Sequence, residues 1–188
     1  VTVPSNSLVF DTGPLRHFAV QSWLGVLKFI TGPNPVYIPD SVEIELNVAA
    51  EEIPAIRSVL GAEWITVHRS SDLEFAMAFS RYEDRLVAGG KNRGECGVLA
   101  MGELYGCEIV VDDAVARTIA EEKGIRVTCT VALLCRAVQE KKITVQMVEA
   151  LADDLIQGEY YLPFGPGGFR NHALEQGWLD YDEMQLKQ

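Results

Sequence analysis

This 188-residue sequence lacks the sulfur and imidazole motifs that hold most transition metals. Its four cysteines, Cys96, Cys107, Cys129 and Cys135, form no CxxC pair and no spacing that suits zinc. Each lies in an apolar helix or strand context, which reads as a buried, reduced thiol. Its three histidines, His17, His68 and His172, are too few and too scattered for an HExxH site. Any metal bound here therefore takes oxygen ligands. Phosphate-cradling glycine loops are absent as well, since neither a P-loop nor a GxGxxG run occurs. No apolar run approaches the roughly 20 residues of a spanning helix, and the N-terminus has no basic-then-apolar signal layout. A soluble, cytoplasmic protein with no membrane association is expected. Cations are scarce: 16 Lys and Arg face 27 Asp and Glu, a net charge of -11. That balance opposes broad attraction to a polyanion. A nucleic-acid substrate would have to be steered by local arginines and lysines, with bound metal or a basic partner offsetting the acidity.

Short apolar strands alternating with helical segments dominate the chain. Ser7 to Phe10, Val36 to Ile38, Ile65 to Val67, Cys107 to Val111 and Ile125 to Cys129 read as strands. Between them the spacing predicts helices from Pro14 to about Phe29, from Asp40 or Ser41, from Pro54, from Ser71 or Asp72 to about Leu86, and from Asn92 to Gly106. Further helices follow from Asp113 to Lys123 and from Val131 to Glu140. This alternation implies βαβ units, hence a three-layer α/β fold with a central, mostly parallel sheet covered on both faces. Beyond Lys142, Thr144 caps a helix with Val145, Val148, Leu151 and Leu155 on one side, a stripe that needs a covering surface. A last helix starts near Phe169, and the acidic, polar stretch after Trp178 is expected to fray.

Acidic residues in apolar settings carry the chemistry. Asp11 follows Leu8-Val9-Phe10, Glu45 follows a short strand and turn, Glu95 opens an Ala/Leu-rich helix, and Asp112 and Asp113 follow Ile109-Val110-Val111. Carboxylates at the ends of parallel strands sit where such a sheet opens its ligand crevice. Gathered there they repel one another unless protons or a cation hold them together. Mg²⁺ or Mn²⁺ is the natural occupant, being a hard ion that prefers oxygen. Taken singly, each acid reads equally as a helix cap or a solvated charge. Asp11-Thr12-Gly13 resembles the turn of aspartic proteases, but those enzymes pair two such turns in an all-β body.

Together these segments resemble the PIN-domain family. The resemblance runs, in order, through Leu8-Val9-Phe10-Asp11-Thr12-Gly13-Pro14-Leu15, Ile38-Pro39-Asp40-Ser41-Val42-Glu43-Ile44-Glu45-Leu46, Gly94-Glu95 and Ile109-Val110-Val111-Asp112-Asp113-Ala114-Val115-Ala116-Arg117. It continues through Gly124-Ile125-Arg126-Val127-Thr128-Cys129-Thr130 and the helix after it, and Gly158-Glu159-Tyr160-Tyr161-Leu162 resembles the tail of one prokaryotic branch. It implies a PIN-like nuclease domain over residues 1–142, with residues 143–188 a helical extension packed on the same domain. It further implies a Mg²⁺- or Mn²⁺-dependent endoribonuclease, commonly a VapC-like toxin of a toxin-antitoxin pair. Asp11, Glu45, Glu95 and Asp113 match the acidic quartet, Asp112 stands as an alternative metal ligand to Asp113, and Thr12 matches a supporting hydroxyl.

Cations held by such carboxylates bind a phosphodiester oxygen, lower the pKa of a bound water and stabilise the leaving oxygen. Asp11 and Asp113 are the expected direct ligands; either Glu45 or Glu95 orients the water or binds metal through one. Lys91 and Arg93 beside Glu95, Arg16 after Asp11, and Arg117 after Asp113 are candidate phosphate contacts or ion-pair partners. Glu43 and Glu103 are read as solvent-facing, and Trp23, Tyr37 and Trp64 as core rather than base-stacking platforms. Expected partners are RNA, a basic antitoxin and a second copy of the chain, with the C-terminal helices the available apolar surface. Two rival readings are a noncatalytic PIN-like module that binds RNA or protein, and a nuclease acting on DNA or flaps.

Overall fold

A computed structural model describes residues 3–86 and 92–180. Five strands form its sheet: β1 (Leu8–Phe10), β2 (Val36–Pro39), β3 (Ile65–His68), β4 (Glu108–Val110) and β5 (Val127–Thr128). They lie in the order β3-β2-β1-β4-β5, and every neighbouring pair is parallel. Uninterrupted apolar strands are what a parallel sheet with both faces covered requires, and β1 and β2 are buried along their whole length. The expected α/β architecture is the observed one.

Helices α1 (Thr12–Val20), α2 (Leu24–Thr31) and α3 (Asp40–Glu52) follow the first two strands, and a 3₁₀ turn (Pro54–Ile56) leads into α4 (Arg57–Leu60). Next come α5 (Leu73–Leu86), α6 (Arg93–Tyr105), α7 (Ala114–Glu122), α8 (Thr130–Gln139), α9 (Val145–Gln157) and α10 (Phe169–Glu175). Among the described residues no helix is long and apolar enough to cross a membrane. The deepest helix is α6, buried at Gly94 and from Cys96 to Gly102. Its glycines allow that depth: a Cβ on Gly97 would stand 2.8 Å from the Pro39 side chain, and one on Gly102 would stand 2.9 Å from Ile109 Cγ2.

Local chemistry departs from the sequence expectation in several places. The single helix expected from Pro14 to Phe29 is two, because Ser22 takes a left-handed backbone, φ 62°. The break delivers Trp23, whose Nε1–H donates to Asp154 Oδ2 on α9 at 2.9 Å. Asn92 precedes α6 but does not cap it with its side chain; its backbone is also left-handed, φ 65°, and its amide reaches the Leu86 carbonyl at 3.4 Å. Glu43 is not simply solvated, since Arg69 grips both its oxygens. Glu103 likewise accepts from the Tyr82 hydroxyl at 2.6 Å and from Arg81 at 2.9 Å. Cys96, Cys107 and Cys135 are buried and in no disulfide, and the half-buried Cys129 accepts the Ala132 N–H at the start of α8.

Thr144 does cap α9, accepting the Met147 N–H at 3.2 Å. The apolar stripe of α9 is not left open for a partner: Val145, Val148, Leu151 and Leu155 are buried in the same core as the strands. Exposed apolar side chains instead include Ile44 and Val48 on α3 and Leu73 and Met77 on α5. Because Leu151 is fully buried, Leu151→Ala should lower unfolding free energy by about 2–5 kcal/mol, measured by urea titration. A loss below about 1 kcal/mol would mean that α9 is only loosely attached to the sheet domain.

Candidate active site

Strand order reverses between β1 and β4, and in open parallel sheets ligands bind at the carboxyl ends of strands beside such a switch point. Asp11 leaves β1 there, and the chain from β4 enters the Asp112-Asp113 turn beside it. The ladder persists right up to this edge, with the Asp11 N–H bonded to the Val110 carbonyl at 3.1 Å. Asp11 has extended backbone angles and caps α1, its Oδ2 accepting the Gly13 N–H at 3.5 Å. The residue is 6% exposed, and its other oxygen, Oδ1, is buried with no hydrogen-bond partner.

Glu45 reaches this edge from α3, where it continues the inward-facing series of Ser41, Val42 and Leu46. Its Oε2 accepts from the Thr12 hydroxyl at 2.5 Å, and its Oε1 accepts from the Gly94 N–H at the start of α6, at 2.8 Å. Gly94 must be glycine for this approach: a Cβ there would stand 2.7 Å from Glu45 Oε2, 2.9 Å from Asp11 Oδ1 and 3.1 Å from Thr12 Oγ1. One residue on, Glu95 is half-buried in the first turn of α6. Asp113 caps α7, its Oδ1 accepting the Ala116 N–H at 2.8 Å, and is otherwise exposed. Asp11 and Asp113 are thus both helix caps.

Electrostatics link the four acids. Burial, then the charge of Glu95 and that of Glu45, push the Asp11 carboxyl well above the ordinary carboxylate range. Burial also raises Glu95, with Glu45 and Asp113 adding to the shift. Carboxylates that raise one another's proton affinity share one electrostatic neighbourhood.

A comparison with protein-family models matches residues 7–164 to the PIN domain. The chain belongs to the PIN-domain family. A comparison with curated proteins finds no match. PIN domains are typically nucleases that bind nucleic acid and generally use divalent metal ions, so nuclease-type function is the class that membership supports. The match continues through α9 and Tyr160, beyond the first two thirds of the chain in which the quartet lies.

The donor chemistry of this PIN domain fits a hard cation. Its converging side chains are oxygen donors, and the buried, unpartnered Asp11 Oδ1 lies among like charges. Among the described residues no three acidic, histidine or cysteine side chains form a ready-made ligand set. Both Glu45 oxygens accept hydrogen bonds, from Thr12 and from Gly94, and one oxygen of Asp113 accepts from its own helix. Asp112 is engaged elsewhere, accepting from the Thr130 N–H at 2.7 Å, the Thr130 hydroxyl at 2.5 Å and the Tyr160 hydroxyl.

The cations divide into committed and uncommitted. Arg93 is paired with Glu83 and lies over the Phe79 ring, 5.1 Å from its centroid. Arg117 donates to the backbone carbonyls of Asp112, at 2.5 Å, and Val111, at 3.4 Å; among the described residues it has no ion pair with Asp113. Arg16 has no carboxylate partner among the described residues and lines a groove with Glu45. Lys91 lies outside the described residues. Sequence reasoning missed Gly94 as a steric requirement and assigned Thr130 and Tyr160 no part. The Gly-Glu pair held the first signal; nothing local joins Thr130 and Tyr160 to Asp112.

Gly94→Ala is expected to displace Glu45 and weaken divalent-cation binding about 10–100-fold, as loss of a supporting contact does, with the circular dichroism of the fold retained. Unchanged binding by titration calorimetry would separate Glu45 from the site. A second expectation comes from the raised Asp11 value. A carboxyl that holds its proton more tightly when folded contributes stability below its unfolded pKa and loses it as pH rises through the folded value. Metal-free Asp11→Asn should therefore melt above the parent at neutral pH, the gap closing as the pH falls and Asp11 takes up its proton; a variant melting below the parent at neutral pH would contradict the burial of an unpaired charge.

Proposed function

We propose that this PIN domain is a Mg²⁺- or Mn²⁺-dependent endoribonuclease, working as the VapC-like toxin of a toxin-antitoxin pair in the cytoplasm. The observation that carries the metal-dependent reading is Asp11 Oδ1, a buried carboxylate oxygen without a hydrogen bond, under the field of Glu95 and Glu45. Asp11 and Asp113 would hold the cation directly. Glu45, fixed by Thr12 and by the Gly94 N–H, and Glu95 on the next residue complete the acidic wall. The bound ion supplies Lewis acidity toward a phosphodiester oxygen and lowers the pKa of a water. Glu95, whose proton affinity is raised by burial and by its neighbours, is suited to take a proton from the attacking water. Arg16, free of a carboxylate partner among the described residues, is the best-placed phosphate contact. The choice of RNA rests on the family resemblance.

The toxin setting draws support from the groove between α3 and α5. It encloses about 680 Å³, with exposed Ile44 and Val48 on one wall and Glu45, Glu52 and Glu83 around them. Apolar side chains bordered by acids suit the apolar stripe of a basic amphipathic segment. Such a partner would place positive charge next to the quartet and block it. Residues 143–188 act in this reading as an extension of the same domain.

A panel of RNA and single-stranded DNA incubated with EDTA, Mg²⁺ or Mn²⁺, with Asp11→Asn beside the parent, tests the reading. RNA should be cut only with metal, and the variant should lose activity by about 10² or more, the size of losing a key electrostatic group. Cleavage of DNA alone would move the assignment to a DNA nuclease. Metal binding without cleavage of either substrate would favour a noncatalytic binding module.

A further inference from the structure

Two adjacent aspartates follow β4, and the structure treats them differently. Asp112 is half-buried, and four donors converge on it. The Thr130 N–H and hydroxyl reach its two carboxylate oxygens at 2.7 and 2.5 Å, the Tyr160 hydroxyl reaches Oδ2 as well, and Arg117 Nη1 holds its backbone carbonyl at 2.5 Å. Asp113 is exposed and gives only Oδ1 to its own helix. The charge of Asp113 acts on Glu95, whereas that of Asp112 acts on Tyr160 and His17.

Tyr160 arrives at Asp112 from a remote part of the chain. Past the end of α9, Glu159 adopts a left-handed backbone, φ 61°, and the Tyr160 N–H returns to the Leu155 carbonyl at 2.9 Å. That turn sends the tyrosine inward to 9% exposure, where its ring stacks on His17 of α1, centroids 4.3 Å apart. Its hydroxyl lies 3.6 Å from where a Cβ on Gly13 would stand, so the phenol packs against the Asp11 turn itself. A surface tyrosine would not need a left-handed residue before it, a stacked histidine beneath it and a carboxylate at its tip.

We propose that Tyr160 is a positioning residue: with Thr130 it engages both carboxylate oxygens of Asp112, so that Asp112 serves as the anchor of the β4–α7 turn and Asp113 is the aspartate left to face a divalent cation. The proposal rests on the metal-dependent reading above and assigns Asp112 and Asp113 opposite roles within it. Charge-assisted hydrogen bonds are roughly twice as strong as neutral ones, and outer groups of this kind fix the ligand beside them. The C-terminal segment thereby becomes part of the site without touching the reacting atoms.

Mn²⁺ binding by the full chain, followed by titration calorimetry and by loss of the free-ion paramagnetic resonance signal, tests the assignment well below the melting temperature. Asp113→Asn should weaken binding by more than about 100-fold, and Asp112→Asn and Tyr160→Phe each by a smaller, similar factor of about 10. Combined, Asp112→Asn and Tyr160→Phe should weaken it by less than the product of the two single factors, because both act on the Tyr160–Asp112 bond. A role confined to stability would lower the melting temperature of Tyr160→Phe and leave its Mn²⁺ affinity at the parent's value, which would overturn the proposal. So would Asp112→Asn abolishing binding as fully as Asp113→Asn, or independent, multiplying effects of Asp112 and Tyr160. If the parent itself binds no Mn²⁺, the metal-dependent reading falls and this proposal with it; the other adverse outcomes leave that reading standing.

Discussion

A single carboxylate ties the candidate site together. Glu45 accepts from the Thr12 hydroxyl on α1 and from the Gly94 N–H on α6, so one side chain of α3 fixes the relative positions of three helices at the edge of the sheet. Both bonds depend on the absence of a side chain at Gly94, where a Cβ would meet Glu45, Asp11 and Thr12 within about van der Waals contact or less. The close approach also sets the electrostatics. Burial first, and then the charges of Glu95 and Glu45 brought beside it, raise the proton affinity of Asp11.

That arrangement explains how a chain of charge -11 is compatible with a nucleic-acid-acting family. Broad attraction to phosphate is opposed by the net charge, so attraction has to be local. Much of the positive charge near the site is already committed: Arg93 to Glu83, and Arg117 to two backbone carbonyls. Arg16 stands apart from these. A cation among the acids would reverse the local field for an approaching phosphodiester, because a bound divalent ion is the largest charge in its surroundings.

The site is also less modular than its position early in the chain suggests. Trp23 bonds to Asp154 of α9, His17 stacks on Tyr160, and Tyr160 holds Asp112. Each contact joins α1, its junction with α2 or the β4–α7 turn to residues beyond 142. The α9 stripe expected to await a partner is the surface that makes this closure, and the exposed apolar side chains of α3 and α5 lie beside the acids instead.

Local physical rules made much of this molecule legible in its sequence. Apolar runs placed all five strands to within a residue or two, Thr144 was readable as a cap because its hydroxyl needs only the next turn's N–H, and acids at strand ends marked the switch point of a parallel sheet. Such signals act over a few residues, so the sequence carries them openly. What required the tertiary structure were the contacts between distant segments: the left-handed break at Ser22 that sends Trp23 to α9, the steric demand at Gly94, the pairing of Glu43 with Arg69, and the engagement of both Asp112 oxygens by Thr130 and Tyr160. Asp112 and Asp113 are identical in chemistry and adjacent in sequence. Only the folded chain distinguishes them, because the donors that occupy one and leave the other exposed come from elements 18 and 48 residues away from Asp112.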